Sequence, residues 1–314
     1  MHVKERLSVR RRYLLLLMMQ AAVAATIALG QSPRSPEKID APHLPNAYRL
    51  HPRVISGGLP DGEAAFRELQ SLGVKTLISV DSAAPDLQLA AAHGMRYVHL
   101  PHGYDGIPRE RVLELAKAVR DLPFPIYVHC HHGKHRVPTA AAVACVAARL
   151  MDANAAENVL LAAGTSDAYR GLYQAARDAR PLDAGTLDAL AVDLPAKAAV
   201  PPLAEAMVTI DQHYDDLQRM SAAGWKAPPD KPDQTATYEA LQLREQFAEL
   251  ARSIGQQRPE SFLRQLRACE ATVSELESAL KANDGAQAKA ALARLTKQCA
   301  DCHRENRDVP LGEK

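Results

Sequence analysis

The stretch Tyr127-Val128-His129-Cys130-His131-His132-Gly133-Lys134-His135-Arg136 decides the reading of this chain. The run from Pro125 to His129 is apolar enough to be a central strand. Arg136 to Met151 is alanine-rich and reads as a long helix. Between them, Cys130 and Arg136 bracket five residues that include Gly133. A loop that closes a strand and opens a helix points successive backbone N–H groups inward, and the helix start adds positive potential. Gly133 lets the backbone come close, and Arg136 in the first helical turn can fork two hydrogen bonds onto an anion's oxygens. The same field favours the thiolate of Cys130 and makes it a nucleophile. A phosphoryl group suits such a loop, and attack on it would leave a phosphocysteine for water to release.

Working outward, strands alternate with helices. Arg53–Ser56, Thr76–Val80 and Arg96–Leu100 read as further strands, with helices from Asp61 to Leu72, Asp86 to His93 and Pro108 to Arg120. The alternation means an α/β unit with a mainly parallel sheet and helices on both faces. Ligands bind such sheets at the carboxyl ends of strands, where the cysteine loop falls. After the Pro/Ala-rich stretch from Val192 to Pro202, four helical patterns follow: Leu203–Ala223, Thr235–Ser253, Pro259–Ala282 and Ala286 to about Asn306. They predict an all-α four-helix bundle.

His129-Cys130, Gly133 and Arg136 match a His-Cys-x-x-Gly-x-x-Arg signature. Over about residues 46–180 the chain resembles the cysteine-dependent protein tyrosine phosphatase superfamily, in its small dual-specificity branch. The resemblance implies that Cys130 is the nucleophile, Arg136 the phosphate clamp and His129 the residue that orders the loop. It also implies an upstream aspartic acid that protonates the leaving oxygen. Asp105, in His102-Gly103-Tyr104-Asp105-Gly106, is the candidate, with Asp81 after the second strand as competitor. One departure stands out: the family carries serine or threonine after the arginine, where its hydroxyl helps the thiolate leave, and this chain has Val137, with Thr139 two residues on. His131, His132, Lys134 and His135 join Gly133 and Arg136 in a strongly basic phosphate-binding loop. That resembles phosphatases for densely charged substrates such as inositol phosphates; a solvated basic rim is the plainer alternative. Metal binding by these histidines is a third reading, although side chains radiating from a tight loop seldom converge.

Near the C-terminus stands Cys299-Ala300-Asp301-Cys302-His303, the spacing that attaches a c-type haem. Cys299 and Cys302 would carry thioethers to the two vinyl groups, and His303 would be the proximal iron ligand. Over about residues 200–310 the chain resembles cytochrome c′ and its low-spin relatives; Arg307 matches their arginine, while Asn306 replaces their aromatic residue. In an up-down-up-down bundle the end of helix four lies beside the start of helix one, and Met207 shares a helical face with Leu203, Ile210, Tyr214 and Leu217. Met207 is therefore the candidate sixth ligand. The alternatives are five-coordinate iron, with Met207 as core, or His213; Met220 lies about 20 Å along the helix, which is too far. Cys145 and Cys269 read as buried, inert thiols.

The chain has 314 residues, a formal net charge of +1, 24% charged and 47% hydrophobic residues, so no global field favours nucleic acid or a membrane surface. Arg10-Arg11-Arg12, the apolar run from Tyr13 to Leu29 and the small residues before Gln31 have the form of a secretory signal, with an uncleaved membrane anchor as the alternative. The expected organisation is a signal peptide (1–30), a linker (31–45), a dual-specificity-phosphatase-like unit (46–192), a second linker (193–202) and a haem-binding bundle (203–314). The expected function is an exported, periplasmic-type phosphatase joined to a covalent haem c unit, acting on phosphorylated protein or a small polyanion, with a redox partner protein. The alternative is a haem electron carrier or sensor whose N-terminal unit binds phosphorylated ligands without turning them over.

Overall fold

The structure is a computed structural model that describes residues 35–254 and 258–313. The signal segment 1–30, and the first residues of the expected linker, lie outside the described residues. Among the described residues, no helix is long and apolar enough to cross a membrane.

The N-terminal unit is built on a six-stranded sheet. Its strands are β1 (Glu37–Lys38), β2 (Tyr48–His51), β3 (Val54–Gly57), β4 (Thr76–Ser79), β5 (Arg96–His99) and β6 (Ile126–His129), in the spatial order β1-β2-β3-β6-β4-β5. β3, β6, β4 and β5 are parallel, while β1 and β2 are antiparallel additions at one edge. All four residues of β3, β4 and β6 are buried, which is why these strands read as apolar runs rather than alternating ones.

Side-chain alternation sends Ile55, Leu77, Tyr97 and Tyr127 to one face, under α1 (Gly62–Ser71) and α2 (Leu87–Ala92). Val54, Ile78, Val98 and Val128 face the other layer. That layer holds α3 (Arg109–Asp121), α4 (Arg136–Ala147), α5 (Ala156–Ala163), α6 (Arg170–Arg177) and α7 (Ala184–Ala189). Every residue of α4 is buried, and its small side chains let the helix lie close beneath the strands. The helix stops at Ala147, short of the expected Met151, because Arg149 takes a left-handed backbone (φ 61°) and Leu150 N–H turns back to the Cys145 carbonyl.

The linker expected at 31–45 is corrected. Glu37 and Lys38 pair with Arg49 and Tyr48, and Leu44 is fully buried. Within the described part of that segment, Glu37–Lys38 is the edge strand of the sheet, concealed in the sequence by its two polar residues among prolines. The stretch 193–202 is not a free tether either. His99 N–H donates to the Pro195 carbonyl, and Ala198 N–H donates to His99 Nδ1, so this stretch covers the open edge at β5.

The C-terminal unit is four helices: α8 (Pro202–Ala222), α9 (Ala236–Ile254), α10 (Glu260–Lys281) and α11 (Gly285–Asn306). Neighbours in sequence pack together around one apolar core that includes Ile210, Leu217, Leu243, Phe247, Leu266 and Leu295. α8 and α11 run side by side through Tyr214 and Thr296, whose hydroxyls are 2.7 Å apart. Seven residues toward the start of α8 is Met207, and seven residues on in α11 is His303.

Candidate active site and the cavity it shares with the bundle

Cys130 follows β6 and is buried, and Arg136 opens α4. The loop between them is held from outside by its carbonyls. Leu59 N–H donates to His131 O (2.8 Å), Asn46 Nδ2 to Gly133 O (3.0 Å), Thr165 Oγ1 to Lys134 O (2.6 Å) and Thr139 Oγ1 to His135 O (3.3 Å). A loop whose carbonyls are drawn outward offers its amides to an anion inside. Gly133 has φ +72°, and a Cβ there would sit 2.6 Å from Gly58 N, so both conformation and space demand glycine.

Asp81, just beyond β4, organises this loop. Its Oδ2 accepts from His131 N–H and from the Arg136 guanidinium, both at 2.7 Å. Burial works against its charge, yet Arg136 and the Ala83 N–H prevail and hold its carboxyl down to about 2. Asp81 is therefore a fixed anion at neutral pH with no proton to give. Burial likewise opposes the charge on Arg136, but Tyr104, Asp81 and Cys130 outweigh it, so its pKa is raised. His129 is fully buried behind Cys130, bonded through Nε2 to Tyr97 Oη (2.5 Å), and burial pushes it down to about 4, so the ring is neutral. Thr139 turns its hydroxyl to its own helix, and Val137 is wholly buried in the core, so neither presents a hydroxyl to the thiol.

Asp105 lies in the loop after β5 and lines a cavity together with His131, His135 and Arg136 of the cysteine loop. Two contacts clamp its loop. Its carbonyl accepts from Leu311 N–H (2.8 Å), and a Cβ at Gly171 would meet that same oxygen at 2.1 Å, so α6 starts hard against it. Neighbouring Tyr104 has the Arg136 guanidinium 4.7 Å and the Arg307 guanidinium 4.0 Å from its ring centre. The residues just past α11 thus lie on the loop that carries Asp105.

One cavity of about 1200 Å³ is lined by both units. Asp81, Asp105, His131, His132, His135 and Arg136 line it from the sheet side; Met207, Cys299, Cys302, His303 and Arg307 line it from the bundle. Lys134 is exposed beside it. His135 is pushed down to about 4 by burial, with His132 and Lys134 adding to the effect, and so is neutral. His303 is pushed down to about 4 by burial, with Arg307 adding to it. His213 is turned away, bonded through Nδ1 to Glu239 at 2.6 Å. Cys269 is buried and lines the same cavity as Cys299. The sequence reading missed Asn46, Tyr97, Tyr104 and Thr165, which carry no motif of their own and reach the site only through the fold.

No family model matches the chain. Over 146 residues it is homologous to the dual specificity protein phosphatase TpbA of two Pseudomonas aeruginosa strains, at 29% and 28% identity. The match covers 46% of this chain and 65% of those relatives. Among solved structures, P. aeruginosa TpbA aligns at 27% identity with a TM-score of 0.41, covering 50% of this chain and 95% of that one. TpbA in complex with phosphotyrosine aligns at 25% identity and 0.40, with the same coverage. The core catalytic domain of the PP-IP phosphatase Siw14 of S. cerevisiae, in complex with citrate, aligns at 16% and 0.39, covering 46% and 88%. The likeness to a dual specificity phosphatase thus spans 146 residues, less than half of this chain.

Proposed function

We propose that this protein is an exported phosphate-monoester hydrolase that works through a phosphocysteine and is joined to a c-type haem unit. The observation that carries the hydrolase reading is the Asp81-held Arg136 at the start of α4, above a loop whose carbonyls are tied outward around Cys130. In the first step Cys130 Sγ attacks phosphorus, the S–P bond forms and the bond to the leaving oxygen breaks. Asp105 gives that oxygen its proton. A water then attacks phosphorus with Asp105 as base, the S–P bond breaks, and phosphate and thiolate return. Arg136 and the loop amides hold the non-bridging oxygens throughout. Lys134, exposed beside the cavity, and Arg136 within it give the site a preference for anionic substrates, either phosphorylated protein or a small inositol-phosphate-like molecule.

The residues around the far end of the cavity fit a haem. Cys299, Cys302 and His303 line it together, Met207 lines it from α8, and the wall between is apolar. A covalent haem bound there would supply one-electron chemistry or a site for a small gas. Cys299 and Cys302 would hold it, His303 would be the proximal ligand and Met207 the candidate sixth. Burial of Val137 and the inward turn of Thr139 favour the second reading, a haem carrier or sensor that binds phosphorylated ligands without turnover. Two experiments test these readings. Rapid mixing with p-nitrophenyl phosphate gives steady release in the hydrolase reading and a single burst, or none, in the second. Protein made in a host with haem-attachment machinery should gain the mass of one haem, lost in Cys299→Ala/Cys302→Ala; an unchanged mass would overturn the haem reading.

A further inference from the structure

His131 and His132 are consecutive in the cysteine loop, yet their rings converge on one carboxylate of the bundle. Asp215 Oδ2, on α8, lies 3.3 Å from His131 Nε2 and 3.8 Å from His132 Nε2. One ligand atom from each of the three lies within 4.8 Å of the others. Radial side chains of a tight loop would not meet by themselves. Here α8 crosses the loop mouth and supplies the point of convergence.

The spacing has chemical meaning. Zinc bound at about 2.0–2.1 Å by nitrogen or oxygen, in tetrahedral geometry, places neighbouring ligand atoms roughly 3.3–3.4 Å apart. The His131–Asp215 separation of 3.3 Å is already such an edge, and the His132–Asp215 separation of 3.8 Å is a small rotation away. His131 is set from both sides, its N–H on Asp81 and its carbonyl receiving Leu59 N–H. The two rings stand edge to face with centres 4.4 Å apart. Asp211 lies one turn before Asp215 on α8 and lines the cavity. Two carboxylates one turn apart repel each other, and a divalent cation held nearby relieves that repulsion.

We propose that His131, His132 and Asp215 bind a zinc-class divalent cation that clips the cysteine loop to helix α8. Two imidazoles with a carboxylate oxygen suit zinc over the hard, all-oxygen cations. The proposed site uses neither the two bundle cysteines nor His303, and it does not depend on turnover at Cys130.

The test uses the full chain, stripped with a chelator and dialysed against zinc, with zinc and iron counted separately by elemental analysis. The expected result is one zinc per chain, bound at least about 10-fold more weakly in Asp215→Ala, since even an outer partner of a ligand costs that much. Zinc should raise the thermal midpoint of wild type but not of that variant. Cys130→Ser should keep its zinc, which distinguishes this site from a metal on the thiolate. His132→Ala, whose side chain is half exposed, gives the same reading if Asp215→Ala does not fold. Failure to retain stoichiometric zinc, unchanged affinity in the folded variants, or loss of zinc in Cys130→Ser would overturn the proposal. The first two results would leave His131–Asp215 as an ion pair between the units.

Discussion

The ring of Tyr104 has Arg307 from the bundle 4.0 Å from its centre and Arg136 from the cysteine loop at 4.7 Å. One aromatic side chain therefore joins Arg136 to the chain just past the CxxCH helix. Cation–π contacts contribute about 0.5–2 kcal/mol each. Arg307→Ala should free the Asp105 loop on its bundle side and lower kcat/KM for p-nitrophenyl phosphate roughly 3- to 30-fold. Unchanged kinetics in a folded Arg307→Ala protein would show that the bundle does not support the site.

Asp81 is bound to both Arg136 and the His131 amide. Asp81→Asn keeps the shape but removes the charge that faces a buried guanidinium, which costs about 3–5 kcal/mol of stability. Thermal or denaturant unfolding should show that loss, and phosphate should inhibit the variant more weakly because Arg136 is no longer held in place. If Asp81 were instead the proton donor, the main effect would fall on kcat while phosphate affinity stayed as in wild type.

Gly133→Ala should abolish phosphate binding. The new Cβ would lie 2.6 Å from Gly58 N at φ +72°, so the loop must rebuild. Strain of about 1–3 kcal/mol from the backbone alone comes on top of that clash. Isothermal titration with inorganic phosphate reads this directly; wild-type affinity in the variant would mean the loop is not the anion site.

His102 and His129 are both held down to about 4 by burial, against 6.5 for an exposed ring. Between those values the unfolded chain binds the protons and the folded one does not, so stability falls as pH drops below 6.5. Each ring removes about 1.4 kcal/mol per pH unit until it titrates in the fold near 4. The Asp81 contribution is lost only lower, as pH falls from 3.8 toward 2. Denaturant midpoints at pH 7, 6 and 5 should decline, and a flat profile would contradict the burial of these rings.

The parallel core of the sheet was legible because its strands are buried on both faces and its turns carry proline and glycine. The edge strands β1 and β2 were not, since two and four residues of mixed polarity leave no periodic signal. Cys130, Gly133 and Arg136 announce themselves through spacing. Asn46, Thr165 and Tyr104 do not, because what they contribute is a single bond or ring contact across a large sequence separation. The approach of Arg307 to Tyr104 and of Asp215 to His131 depends on how two separately readable units meet, and no local pattern encodes that.

In the proposed reaction Cys130 forms a covalent bond to phosphorus beneath Arg136. The most direct measurement is mass spectrometry of acid-quenched protein during turnover of p-nitrophenyl phosphate, with wild type and Cys130→Ser side by side. A phosphoryl adduct located on Cys130, with no p-nitrophenol released by Cys130→Ser, is the predicted result. Undiminished hydrolysis by Cys130→Ser would rule out Cys130 as the nucleophile.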